Sequence, residues 1–409
     1  MIDERIIDKL VERLVSRIEE GNSYTLQKIG ESIKQIGALS PSKAQQLGQI
    51  LKYGGNYDSI VKKLAQITEL NVKDIYEIFE EIAKSDYAFA KQFYDYRGVK
   101  YIPWEDNVAL QNQVKALARI TANEYVNFSN TLAFTKKVNG RVMYTDLART
   151  YQETLDKAIL NVAQGKSTFD EQMYSTIKEL GSSGIKKVDY ASGRSMRLDS
   201  AVRMNLKGAL RNLHNETQAV IGQEFGSDGV EISVHRNPAP DHAQVQGRQF
   251  SKEEFDKFQN DQDAYDYKGK FFPAVAEETG YDRRSISEHN CYHYPFDIVL
   301  GVNKPEYSDE ELQQIIDDNN KGFEYEGNHY SLYEGEQLLR KIELELRKSK
   351  DMQIIGRASG NKQIVEESQT RITQLTHKYR DVLKASGLKS KLERARVQKY
   401  HRVNVDKMK

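Results

Sequence analysis

"HRNPAPDHAQVQGRQF", residues 235–250, is built unlike the rest of this 409-residue chain. It carries two prolines and two histidines in a sequence otherwise highly charged and poor in proline. Downstream comes "SEHNCYHYPF", residues 287–296, with the only cysteine and two more histidines. Between them the two stretches fix a region of a different kind. Five of the seven prolines (238, 240, 273, 295 and 305) and four of the eight histidines (235, 242, 289 and 293) lie in it. "GVEISVHR" (229–236) leads in, alternating Val230, Ile232 and Val234 with polar residues, which is the period of a half-buried strand. "SKEEFDKFQN" reads as one short helix opened by Ser251 as N-cap. Residues 227–305 are therefore read as a small α+β domain of loops and short strands.

Outward from this segment the chain reads as helix. In residues 1–97, Ile2, Ile6, Leu10, Leu14 and Ile18 recur every four positions beside Ile7, Val11 and Val15, a single apolar stripe. Gly21-Asn22 is the expected stop of that helix. "SPSKAQQLGQILKYGG" has Ser40 as N-cap, Pro41 at the first helical position and a Gly-Gly end. "VKDIYEIFEEIAKSDYAFAKQFYDY" places Ile75, Ile78, Phe79 and Ile82 on one face. These features predict an N-terminal helical domain of four or five helices. A break around Trp104 opens a long-helix region, 98–226. Its last helix carries Leu198, Val202, Leu206, Leu210 and Leu213 as a buried stripe, with Asp199 as the candidate cap. Residues 306–409 return to helix, with Leu338, Leu339, Ile342 and Leu346 in register and then Ile364, Ile372, Leu375 and Leu383. The fold class expected is mainly α with a small α+β domain, an elongated multi-helix protein.

Composition narrows the function. Apolar residues make up 38% and charged residues 29%, and mean hydropathy is −0.71, as expected of long amphipathic helices with much exposed surface. Lys+Arg and Asp+Glu both total 60, so any pull on nucleic acid or membrane must come from a local patch. One cysteine excludes an intrachain disulfide framework and a Cys-only zinc site. The N-terminus lacks the apolar core of a signal peptide, and no run of eighteen apolar residues occurs. A soluble chain synthesised in a reducing cytoplasm is expected.

Four candidate sites follow. His289, Cys291 and His293 alternate, so a strand would point all three one way. With His242 they form a four-ligand set of the N/S type that zinc accepts. A packed, hydrogen-bonded cluster is the competing reading, because a lone cysteine is commonly a buried residue. A nucleophilic Cys291 would need a base and a feature lowering its pKa, and no helix start or glycine-rich oxyanion loop flanks it. No phosphate-binding glycine motif is present, and "SEHN" lacks the acidic partners of a His-Asn nuclease motif. Finally, residues 384–409 carry nine basic side chains against Glu393 and Asp406. Among them Lys389, Lys391, Arg394, Arg396, Lys399 and Arg402 are candidates for salt-dependent DNA contact. The competing reading is a solvated helix end.

"VHRNPAPDHAQVQGRQFS" followed by "HNCYHYPFDIVLGV" resembles the core of phage minor capsid proteins of the minor-capsid-protein-2 group, themselves similar to MuF-like head morphogenesis proteins. The shared pattern runs through Arg236, Pro240 and His242, then Gln246, Gly247 and Phe250, and closes on Asn290, Cys291 and His293. The helix "YASGRSMRLDSAVRMNLKGALRNL" and the tail "LLRKIELELRKSK" resemble the family's as well. The resemblance spans roughly 100–400 and is strongest at 189–301; residues 1–97 match less clearly. Val245 stands where family members often have tryptophan, and Tyr292 where some have arginine. The resemblance implies a non-enzymatic structural protein of a tailed-phage head, made in the host cytoplasm and present in several copies in the virion. Its implied partners are the portal protein, the major capsid protein and packaged DNA. It also implies that the Pro/His/Cys residues are a domain framework, closed by hydrogen bonds or by zinc, with no other cofactor. Two other readings stay open: a virion-carried enzyme or toxin-like effector on a MuF-like module, and a DNA-binding protein using the basic tail.

Overall fold

The computed structural model describes residues 4–52, 56–130, 132–138, 141–163, 169–188, 195–260, 264–267, 270–273, 285–287, 291 and 293–404. Eleven α-helices dominate these residues. The N-terminal third holds α1 (Glu4–Gly37), α2 (Pro41–Lys52) and α3 (Asn56–Arg97). At about 1.5 Å per residue, α3 is roughly 60 Å long. Three helices thus stand where four or five were expected, and α1 does not stop at Gly21-Asn22. Tertiary contacts override the local breaking tendency. Gly21 lies close against Leu64 and Ile67 of α3, and the buried Asn22 donates to the Asp351 carboxylate at 3.1 Å. The expected start of α2 holds: Ser40 O accepts from Ala44 N at 2.8 Å, with Pro41 first in the helix.

After the short 3-10 turn Trp104–Asp106 comes α4 (Val108–Asn130). Then the chain departs from the helical expectation. β1 (Leu132–Val138) pairs antiparallel with β2 (Arg141–Asp146), and α5 (Leu147–Ala163) and α6 (Phe169–Ser183) follow. β3 (Lys186–Val188) and β4 (Ser195–Arg197) complete a four-stranded sheet of order β2-β1-β3-β4. α7 (Leu198–Phe225) starts one residue after Arg197, so Asp199 lies inside its first turn rather than capping it.

The small α+β unit is built on β5 (Gly229–Ile232), flanked by β6 (Gln249–Ser251) on one side and β9 (Pro295–Ile298) on the other. α8 (Lys252–Asn260) sits between β6 and the hairpin of β7 (Ala264–Tyr267) and β8 (Lys270–Pro273). Ser251 caps α8 as expected, its Oγ accepting from Glu254 N while the Glu254 carboxylate accepts from Ser251 N. Ile232, Val245, Phe250, Phe258 and Ile286 form its own core. The strand is shorter than 229–236, and the segment before β9 that carries Cys291 and His293 is irregular, not a strand.

α9 (Asp309–Lys321), the hairpin β10 (Phe323–Tyr325) and β11 (Asn328–Tyr330), α10 (Leu332–Ser359) and α11 (Lys362–Ser386) end the fold. Gly387 stops α11 in the left-handed conformation, and the basic tail runs on as a 3-10 turn and irregular chain, so it is not a helix end. One apolar core, from Ile7 to Val397, crosses the sequence positions 97/98, 226/227 and 305/306. α1 and α10 meet closely in it: a methyl group on Gly30 would lie 2.6 Å from the Ala358 Cβ.

Candidate histidine–cysteine site and its cationic cleft

Residues 240–247 form a run of turns that ends at Gly247, whose φ of +70° favours glycine. The turn swings His242 and Gln246 under β5, where both are almost fully buried. Cys291 and His293 reach the same point from the segment entering β9. Cys291 Sγ lies 3.5 Å from His242 Nδ1 and 3.7 Å from His293 Nδ1. The three donor atoms all fall within 4.8 Å of one another, and the residues are 1–3% exposed. The expectation that His242, Cys291 and His293 converge thus holds in space, although not by strand geometry. His289 and Asn290 lie outside the described residues.

The surroundings orient each group. The sulfur accepts backbone N–H bonds from Ser287 and His293, both at 3.4 Å. Gln246 Oε1 accepts from His235 N at 2.8 Å and also lies 3.1 Å from His293 Nε2. Burial works to raise the Cys291 thiol. The hydrogen bond with His242, its charge, and the backbone N–H groups of His293 and Ser287 outweigh it and lower the pKa. Arg211 of α7 donates to the Cys291 carbonyl, and His214 bridges Asp86 of α3 at 2.8 Å and Pro295 O at 3.0 Å. These two α7 residues dock the small unit on the helices. Sequence reading missed them, because a polar residue on the α7 stripe gives no sign of its distant partner.

The cluster floors a cleft of about 760 Å³ whose lining also includes Arg236, Arg340, Lys389, Lys391 and Arg394. The two patches singled out in the sequence therefore meet. Not all the tail cations face solvent, however. Arg394 pairs with Asp8 at 3.2 Å, Lys391 lies 4.0 Å from Glu336, and Lys399 donates to Gln27 at 2.7 Å. Lys389, Arg396 and Arg402 are exposed. Of the framework residues, Phe250 is in the small core, and Arg236 and Pro240 are exposed at the turn.

A second buried polar group was not foreseen. Arg197 contacts Asp351 at 2.9 Å, Asp199 at 3.2 Å and Glu19 at 3.5 Å, and Arg347 contacts Asp199 at 3.2 Å. It joins α1, α7 and α10. Burial, and then the charge of Asp199, hold the Glu19 carboxyl well above its ordinary range. At Asp199 burial acts upward as well, but Arg347 and Arg197 outweigh it and keep the group ionised.

Long helices around one core, with a small α+β unit clamped to them, define a mainly helical protein. The chain belongs to the family described as phage minor capsid protein 2, whose profile matches residues 2–384. The match takes in the N-terminal helices that resembled the family less clearly by eye. No curated protein and no solved structure matches the chain. The protein is a minor structural component of the phage virion. Among the described residues no helix is long and apolar enough to cross a membrane.

Proposed function

We propose that this minor capsid protein docks at or near the portal of a tailed-phage head through α3, α4 and the segment joining them, and acts there in assembly or DNA passage without catalysing a reaction. The observation that carries the docking face is where apolar surface remains. Of the twelve large hydrophobic side chains exposed among the described residues, nine lie between Val61 and Val126. Tyr96 and Val108 are each 61% exposed and Ile120 is 55% exposed. Single exposed apolar residues are ordinary, but their concentration on these two helices and the segment between them supports reading this region as the docking surface. A groove lined by Tyr76, Trp104, Val114 and Arg119 lies between the same helices.

Deleting residues 1–97 would not test this, because Leu14, Leu26, Ile29 and Ile33 of α1 are fully buried core. The triple variant Tyr96→Glu, Val108→Glu, Ile120→Glu is the cleaner probe, since exposed positions each shift stability by only about 0.5 kcal/mol. Pull-down on the purified portal ring should lose binding in this variant while its unfolding transition stays put. Wild-type binding by a folded triple variant would overturn the assignment. Packaged DNA is the second contact in this reading, carried by Lys389, Arg396 and Arg402. Their joint replacement by alanine should flatten the salt dependence of duplex binding by about two to three in log–log slope.

A further inference from the structure

We propose that His242, Cys291 and His293 bind one zinc ion, which clamps the 240–247 turn to the strand entry at 291–298. Three observations carry this, independently of portal docking.

The first is spacing. A tetrahedral zinc with bonds of about 2.3 Å to sulfur and about 2.0–2.1 Å to nitrogen sets the S···N edges at about 3.5–3.6 Å. The two S···N separations here are 3.5 and 3.7 Å. Hydrogen bonds to sulfur fall in the same range, as the two 3.4 Å backbone contacts show, so the spacing admits a metal and the tautomer distinguishes it.

The second is the tautomer. Gln246 Oε1 accepts a bond from the backbone N–H of His235, so that atom is an acceptor. His293 Nε2, 3.1 Å from it, must then be the donor. In a neutral imidazole this leaves the lone pair on Nδ1, the nitrogen that faces Cys291 Sγ. Metal-binding histidines are typically oriented in this way, the far N–H given to a carbonyl or carboxylate. On His242 the far nitrogen faces the Asp241 carboxylate at 3.8 Å, a longer contact of the same kind.

The third is the sulfur. It already accepts two backbone N–H groups, from Ser287 and His293. Such bonds favour a thiolate, the form that binds metal. The sulfur and the Nδ1 of His293 face each other across 3.7 Å, a span that one cation ligated by both would fill. Soft sulfur with imidazole nitrogen suits zinc better than calcium or magnesium, which take oxygen ligands.

The alternative is a metal-free chain in which His242 Nδ1–H donates to sulfur and S–H donates to His293 Nδ1. The two differ in measurable ways. The full-length protein, incubated with zinc and dialysed, should retain one zinc per chain by elemental analysis. Loaded with cobalt(II) instead, it should show a thiolate-to-cobalt charge-transfer band and tetrahedral d–d absorption. The chain has a single cysteine, so that band has one source. Cys291→Ser should abolish it, and His242→Ala and His293→Ala should lower zinc retention. His377→Ala, exposed on α11, should change nothing. Gln246→Ala should weaken binding about 10- to 100-fold through the loss of ring orientation. In the unmodified chain, zinc should slow alkylation of Cys291 and a chelator should restore it, a readout that survives if the variants fold poorly. Folded wild-type protein that retains no stoichiometric zinc and shows zinc-independent alkylation would overturn the proposal in favour of the hydrogen-bonded chain. So would full zinc retention by Cys291→Ser.

Discussion

The ion network at Arg197 and the histidine–cysteine cluster at Cys291 are both built of buried side chains, but they are balanced by different means. In the network, Arg197 and Arg347 face Glu19, Asp199 and Asp351, one carboxyl group more than there are guanidiniums. Arg203, paired with Glu12, and Lys350, whose pKa burial lowers to about 8, stand at its edge. Burial and the charge of Asp199 push Glu19 toward its neutral form, in which it can donate to Asp199. The network is closed by groups of the chain itself. The histidine–cysteine cluster brings together two ring nitrogens and a sulfur, and in the zinc reading a metal ion completes it. Charge matching within the chain locks long helices together; the proposed role of the donor set is to hold a ligand.

The contrast can be broken from the network side. Arg197→Met leaves three buried carboxyl groups facing Arg347 alone. Removing one partner of a buried ion pair typically costs about 3–5 kcal/mol, because the other charge stays buried unpaired. Urea unfolding should show a loss of this size, and a loss under 1 kcal/mol would mean the network contributes little. Adding Asp351→Leu to the same chain should recover much of the loss, since apolar replacement of a whole pair is often near neutral.

From the cluster side the effect is local and depends on the metal. Zinc held at a hundred to a thousand times its dissociation constant should stabilise the closed small unit by about 3–4 kcal/mol. Hydrogen exchange reads this without requiring the whole chain to unfold in one step. The amides of Ser287 and His293, which donate to the sulfur, should gain protection on zinc addition and lose it with chelator. Amides along the middle of α10 should not respond. Equal protection with and without zinc at Ser287 and His293 would remove the distinction between the two clusters.

How much of this was legible in the sequence depends on whether a feature is carried by neighbours or by distant partners. The Pro41 helix start and the Ser251 cap are local, and each stands where expected. The convergence of His242 with Cys291 and His293 was also legible, because rare residue types gathered in one window. What failed was non-local. Gly21-Asn22 is a stop signal by composition, yet Asn22 is held in α1 by Asp351 of α10. Asp199 looks like a cap, yet it serves two arginines, one of them far along the chain. The β1–β2 hairpin is the exception: "KVNGRV" carries an Asn-Gly turn signal between alternating residues, and the helical stretches on both sides obscured it. The basic tail was counted correctly as charge, but charge alone cannot tell Arg394, which is tied to Asp8, from exposed Arg396.

The smallest expected effect separates a balancing proton from a balancing metal. Glu19 has a folded-state pKa raised above its unfolded value, first by burial and then by Asp199. The folded chain therefore holds a proton that the unfolded chain releases above about pH 4.3. The stability this contributes is present at low pH and fades as pH rises through the raised value, at up to about 1.4 kcal/mol per pH unit. Glu19→Gln keeps the shape and supplies a permanent N–H donor toward Asp199, so it lacks that slope. Near pH 5 the variant and the wild type should unfold at similar urea concentrations. Toward pH 8 the variant should become the more stable by about 1–2 kcal/mol, discounting for relaxation around a buried carboxyl. A wild-type-minus-variant difference that stays flat from pH 5 to 8 would show that Glu19 is ionised in the folded chain. The network would then carry its surplus charge unneutralised, and the contrast with the cluster would fail at its first step.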